Sequence, residues 1–171
     1  MTVNIGMSAS PREPKWLRAL LFAVAAVEAV GALTGLTLFT ELHEFDSSAA
    51  QWLIFANLAV APVFAIAALV FVIRGQLRHA IMALGALAGA ALLLDNLPSI
   101  YTHGTDIFSG GLIGIYIFIR LLLFPLLGLA AAWLAWKNIR LPLAGILVSL
   151  PTLISIVDLI AFAVGVSIYG F

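Results

Sequence analysis

The chain has 171 residues, 64% of them hydrophobic and only 9% charged, with eight basic and eight acidic side chains and a formal net charge of zero. A soluble domain carries about 45–50% apolar and about 25% charged residues, and a water-soluble fold of about 150 residues leaves roughly 30% of its unfolded-chain surface exposed, so the solvent for this composition has to be lipid. Zero net charge offers no field for a nucleic-acid partner, and the absence of cysteine excludes disulfides, thiolate catalysis, iron–sulfur clusters and cysteine zinc sites.

Residues 1–16 are polar and proline-containing and are expected to form a disordered tail. The next stretch, 17–39, is the first of five that approach or exceed the about 20 apolar residues a spanning helix needs. Arg12, Lys15 and Arg18 resemble the basic region of a signal peptide. However, the apolar run from Leu17 to Thr40 outlasts the usual h-region of about 7–15 residues and contains Glu28, so it reads as a retained helix. Further helices are expected over 50–73, over 79–97 (the shortest), over 110–136 and over 141–169. The last two exceed what a span requires, which implies tilt or projection. The expected fold is all-α: residues 17–171 form one polytopic membrane domain, a bundle of five transmembrane helices.

Basic residues orient this bundle. Arg12, Lys15 and Arg18 precede or open the first helix, Arg74 and Arg78 lie between the second and third, and Lys137 and Arg140 lie between the fourth and fifth. The other two loops hold Glu41, Glu44, Asp46 and Asp106 instead. Seven of the eight basic residues therefore share one side, which the positive-inside rule makes cytoplasmic. Four or six crossings would split them. The expectation is a cytoplasmic N-terminus and an outside C-terminus, in a bacterial inner (plasma) membrane. Trp16, Trp52, Trp136, Tyr101 and Tyr169 fall near helix ends, as interfacial aromatics do. The short connections Arg74–Arg78 and Lys137–Arg140 force helices two and three, and four and five, into antiparallel hairpins. Gly31/Gly35, Gly85/Gly89 and Gly110/Gly114 are small-xxx-small pairs, a weak sign of close helix approach.

At about 1.5 Å per residue, Asn57, Asp95, Arg120 and Asp158 all lie roughly 24–25 Å from the cytoplasmic ends of four different helices. Reflection through the two short loops sets Asn57 level with Asp95, and Arg120 level with Asp158. An Arg at that depth needs a partner. An Arg120–Asp158 ion pair is expected, with Asp95 as second partner, Tyr116 one turn from Arg120 on the same face, and Ser155 placed similarly to Asp158. Alternatively Asp95 only marks the helix end before Asn96, Pro98 and Ser99, and the cluster only fixes packing.

Glu28 lies deeper, roughly 16 Å along the first helix. Val24, Gly31, Ala32 and Gly35 share its face, which is expected to meet another helix. Pro62, Gly89, Pro125 and Pro151 fall at a similar level. The three prolines free the carbonyls of Leu58, Leu121 and Leu147. A carboxyl group among freed carbonyls is how broken-helix transporters build ion sites, although a single structural hydrogen bond from Glu28 accounts for it too.

Nucleophile, P-loop, dinucleotide and zinc-protease motifs are absent. No histidine is placed to ligate a haem between helices. His43, Glu44 and Asp46 in one outer loop and His103 and Asp106 in the other lack metal-ligand spacing and read as solvated acidic loops. No cofactor or metal is expected. The leading functional reading is transport or binding of a small polar or ionisable solute at Glu28, Asn57, Asp95, Tyr116, Arg120, Ser155 and Asp158. The small size points to a homo-oligomer or a larger membrane complex. A second reading is a membrane enzyme on a lipid or isoprenoid-like substrate, with Glu28 or Asp158 as general acid/base. A third is a structural or accessory subunit.

Overall fold

The structure, a computed structural model, describes residues 14–37, 49–97, 100 and 110–170. It contains five helices long and apolar enough to span a membrane. Helix α1 covers Lys15–Gly35 and α2 covers Ala49–Ile73. Helix α3 covers Leu77–Ala91 and continues as a π-helical segment, Leu92–Asn96. Helix α4 is made of Leu112–Phe118, a π-helical segment Ile119–Leu123, and Phe124–Trp136. Helix α5 covers Leu141–Tyr169. Helix α1 begins at Lys15 rather than Leu17, because Pro14 in extended conformation suits the position just before a first turn. Helix α4 begins after Gly111, whose φ of 62° belongs to no right-handed helix. The expected disordered tail falls, for residues 1–13, outside the described residues.

The two hairpins close by the same device. At the end of α2, Gly75 has φ of 75°, its amide donates to Val72 O (3.0 Å), and the Gln76 amide donates to Phe71 O (2.8 Å). At the end of α4, Asn138 has φ of 56°, its amide donates to Ala135 O (2.9 Å), and the Ile139 amide donates to Leu134 O (2.9 Å). Both are Schellman motifs, in which a left-handed residue turns the chain back onto its own last carbonyls.

Helix α3 is the centre of the bundle and packs against all four others, while α1 closes the arrangement against α2 and α5. Lipid gives helices no hydrophobic reason to associate, so close backbone approach and hydrogen bonds must hold them. The closest seam joins α3 to α4: a Cβ on Gly85 would stand 2.6 Å from Gly128 O and 2.5 Å from Ala132 Cβ, and one on Gly128 would stand 2.5 Å from Ala88 Cβ. Gly85/Gly89 is thus a real contact pair. Gly31 is not, since a Cβ there meets nothing within 4 Å. The expected packing face of α1 meets its neighbours at Val24, which is buried, at Glu28, which accepts from Thr152, and at Gly35, where a Cβ would stand 3.5 Å from Leu58, whereas Gly31 is exposed. Gly145 of α5 accepts Leu17 of α1 where a side chain would collide with it.

The start of α1 and both hairpins meet at one end of the bundle. Arg18 donates to Ile73 O (2.7 Å) and Arg78 to Trp136 O (2.7 Å). Each guanidinium on the first turn of an odd-numbered helix therefore neutralises the C-terminal carbonyls of an even-numbered neighbour. The buried core lies in this same half, formed by Leu17, Leu21, Ala68, Val72, Leu77, Ile81, Leu84, Ala131, Ala144 and Val148. At the opposite end α5 is exposed all round, from Leu159 to Val164.

Candidate functional site

Above this apolar floor the five helices part around a cavity of about 330 Å³. Leu84 and Val148 of the core form part of its wall, and its polar lining comes from Glu28, Asn57, Asn96, Arg120, Thr152 and Ser155. Two levels inferred from the sequence, the Glu28 level and the Arg120 level, thus open into one space.

Glu28 of α1 finds its partner on α5. Thr152, only 6% exposed, donates a 2.6 Å hydrogen bond to Glu28 Oε1. The bond ties the first helix to the last and fixes the carboxyl group at the cavity wall. Thr152 follows Pro151, which lines the cavity with Pro125.

Pro125 has no amide to offer the Leu121 carbonyl. Two things answer this. The helix widens into the π-helical segment Ile119–Leu123, which eases the clash between the pyrrolidine ring and the carbonyl one turn back. The Asn96 amide group then donates to Leu121 O at 2.8 Å. Asn96 is itself the last residue of the π-helical segment of α3, and the two π-helical segments touch. Each is followed at the same spacing by a proline in the sequence, Pro98 or Pro125.

Arg120 and Asp158 are connected through a phenol. Arg120 Nη1 donates to Tyr116 Oη at 3.3 Å, and Tyr116 Oη donates to Asp158 Oδ2 at 2.5 Å. The guanidinium carbon also lies 6.0 Å from the Tyr116 ring centroid. The direct Arg120–Asp158 ion pair expected from the sequence is therefore replaced: among the described residues none links them, because the tyrosine one turn before Arg120 stands between the two groups. Asp158 does not line the cavity, whereas Arg120 does. Among the described residues Arg120 meets the Tyr116 hydroxyl rather than a carboxylate, and it lines the cavity.

Asn57 lines the cavity from α2. Its Oδ1 is shielded from solvent and has no hydrogen-bond partner among the described residues. Such an atom costs about 1–3 kcal/mol unless something donates to it. Ser155 lines the cavity from α5. The backbone of Asp95 belongs to the π-helical segment of α3, but its side chain lies outside the described residues, as do His43, Glu44, Asp46, His103 and Asp106. No group of three or more His, Asp or Glu positioned for a metal occurs among the described residues.

Sequence reasoning missed Asn96 and Thr152. The signal for Asn96 was present, since the freed Leu121 carbonyl demanded a donor at its own level. Thr152 gave less, only a hydroxyl beside a proline at the depth of Glu28.

The cavity therefore offers a cation from Arg120, a carboxyl group from Glu28 and an acceptor from Asn57 that is unpaired among the described residues, beside the polar side chains of Asn96, Thr152 and Ser155. No family model matches the chain, and no curated protein or solved structure matches it either.

Proposed function

We propose that this protein binds a small polar or ionisable solute in the cavity between its five helices and serves its passage across the membrane. The observation that carries this reading is the buried Asn57 Oδ1, unpartnered among the described residues, in the same cavity as Arg120. A solute with an N–H or O–H donor for Asn57 and an anionic or acceptor group for Arg120 satisfies both. The volume of about 330 Å³ is at the small end of ligand cavities, which run about 300–1,000 Å³. Glu28, held by Thr152, is the ion or proton site of this reading. Basic residues gathered at one end support a cytoplasmic N-terminus, and the proposed location is a bacterial plasma membrane. The small size suits a homo-oligomer or an accessory role in a larger membrane complex.

The test is a thermal-shift panel of small amines, carboxylates and zwitterions on the purified protein, followed by uptake into proteoliposomes. Glu28→Gln and Arg120→Gln, both at the cavity wall, are expected to abolish uptake with folded yield near normal. If both variants instead lose folded yield, and Arg120→Leu with Asp158→Leu restores it, the cluster serves packing alone and the proposal fails.

A further inference from the structure

A second cavity, of about 440 Å³, lies between α1 and α2 at the basic end of the bundle, away from the solute site. Lys15, Arg18, Ala19, Phe22, Val72 and Ile73 line it. Its composition is graded. Lys15 and Arg18 sit on the first turn of α1, three residues apart and so on one face. Ala19 and Phe22 continue that face, with Phe22 roughly 10 Å farther along the helix than Lys15. Across the groove, Ile73 is 57% exposed and Val72 is fully buried beneath it. Two cations at the rim thus lead into an apolar trough running toward the middle of the bundle.

Arg18 is not a free-swinging side chain. One Nη is committed to Ile73 O at 2.7 Å, which holds the guanidinium at the rim and leaves the rest of its planar fork for an anion. That fork matches phosphate oxygens in a way an ammonium does not. Lys137, by contrast, rests over the Trp136 ring at 4.7 Å.

We infer that the α1–α2 groove holds an anionic phospholipid, its phosphodiester between Lys15 and Arg18 and one acyl chain along Ala19 and Phe22. Charge complementarity selects the head group, and the apolar trough distinguishes a lipid from a free phosphate ion. Basic pockets between transmembrane helices are known to recognise lipid head groups in this manner.

The experiment is native mass spectrometry of the full chain released from nanodiscs of equal phosphatidylglycerol and phosphatidylcholine. Wild type is expected to retain phosphatidylglycerol selectively. Lys15→Gln should weaken retention about fivefold, as one basic residue near a lipid surface is worth, and Arg140→Gln should leave it unchanged. Phe22→Ala should reduce retention of the lipid without changing binding of inorganic phosphate, offered separately as a competitor. Equal losses from Lys15→Gln and Arg140→Gln would show attraction to the whole basic face and overturn the site. Displacement of the lipid by inorganic phosphate at equal concentration would overturn it too. Because Arg18 also caps α2, Lys15→Gln is the decisive variant: it touches no helix carbonyl among the described hydrogen bonds.

Discussion

The amide group of Asn96 takes over the carbonyl of Leu121, at 2.8 Å, that Pro125 leaves without its helical donor. One polar side chain on α3 thereby repairs a backbone fault on α4 and joins two π-helical segments that stand side by side. Removing Asn96 should expose that fault. Asn96→Ala is expected to destabilise the protein by about 0.6–1.7 kcal/mol, from the mean to the maximum of interhelical hydrogen bonds in a membrane protein. In a Pro125→Ala background, where residue 125 again has an amide, the same change should cost much less. Reversible unfolding of the four variants in mixed micelles gives the coupling, and purely additive losses would refute the assignment.

The α3–α4 seam makes a second forecast. Gly85→Val places methyl groups where Gly128 O and Ala132 Cβ already stand, and should cost about 1–3 kcal/mol as overpacking. Gly31→Ala meets open space and should be neutral or stabilise by up to about 1 kcal/mol through helix propensity. The Gly85 variant should therefore melt lower than the parent and the Gly31 variant no lower, although the sequence presents both glycines as members of the same motif.

Thr152→Val keeps shape and removes the hydroxyl that donates to Glu28. A loss of about 0.6–1.7 kcal/mol is expected. With Glu28→Ala already in place the loss should nearly vanish, since the acceptor is gone. A threonine that matters equally in both backgrounds would have to be acting through its packing in α5.

The chain has no cysteine, so single-cysteine variants map its sidedness directly. Cysteine in place of Gln76, in the turn between α2 and α3, should react with a membrane-impermeant maleimide only after the cells are opened. Cysteine in place of Gly110, at the other end of the bundle, should react in intact cells. The reverse pattern would invert the proposed orientation.

Depth was readable in the sequence, and rotation was not. Run length and charge alternation gave five helices, and the hairpin ends at Ile73, Trp136 and Leu141 lie where the apolar runs stop. Fixed rise per residue put Arg120 and Asp158 at a common level with Tyr116 one turn away, and the structure links the three through the Tyr116 hydroxyl. Which way each side chain turns about its helix axis depends on azimuth, however, and a π-helical segment shifts azimuth for everything beyond it. That is why the phenol, not the guanidinium, meets Asp158. The glycines tell the same story: spacing marks a smooth face, but only the assembled bundle decides which smooth face is covered.

A turn closed at five residues instead of four holds one residue more than an α-helix needs. In α4 that surplus lies at Ile119–Leu123, between the half of the helix packed on α3 and the half that carries Tyr116. Winding the same residues at ordinary α-helical pitch would turn its outer half by about 100° relative to its inner half. Tyr116 would swing off Asp158 while Gly128 stayed seated on Gly85. The protein thus carries a built-in phase offset, and the pairing of its polar groups is written in the count of residues as much as in their chemistry.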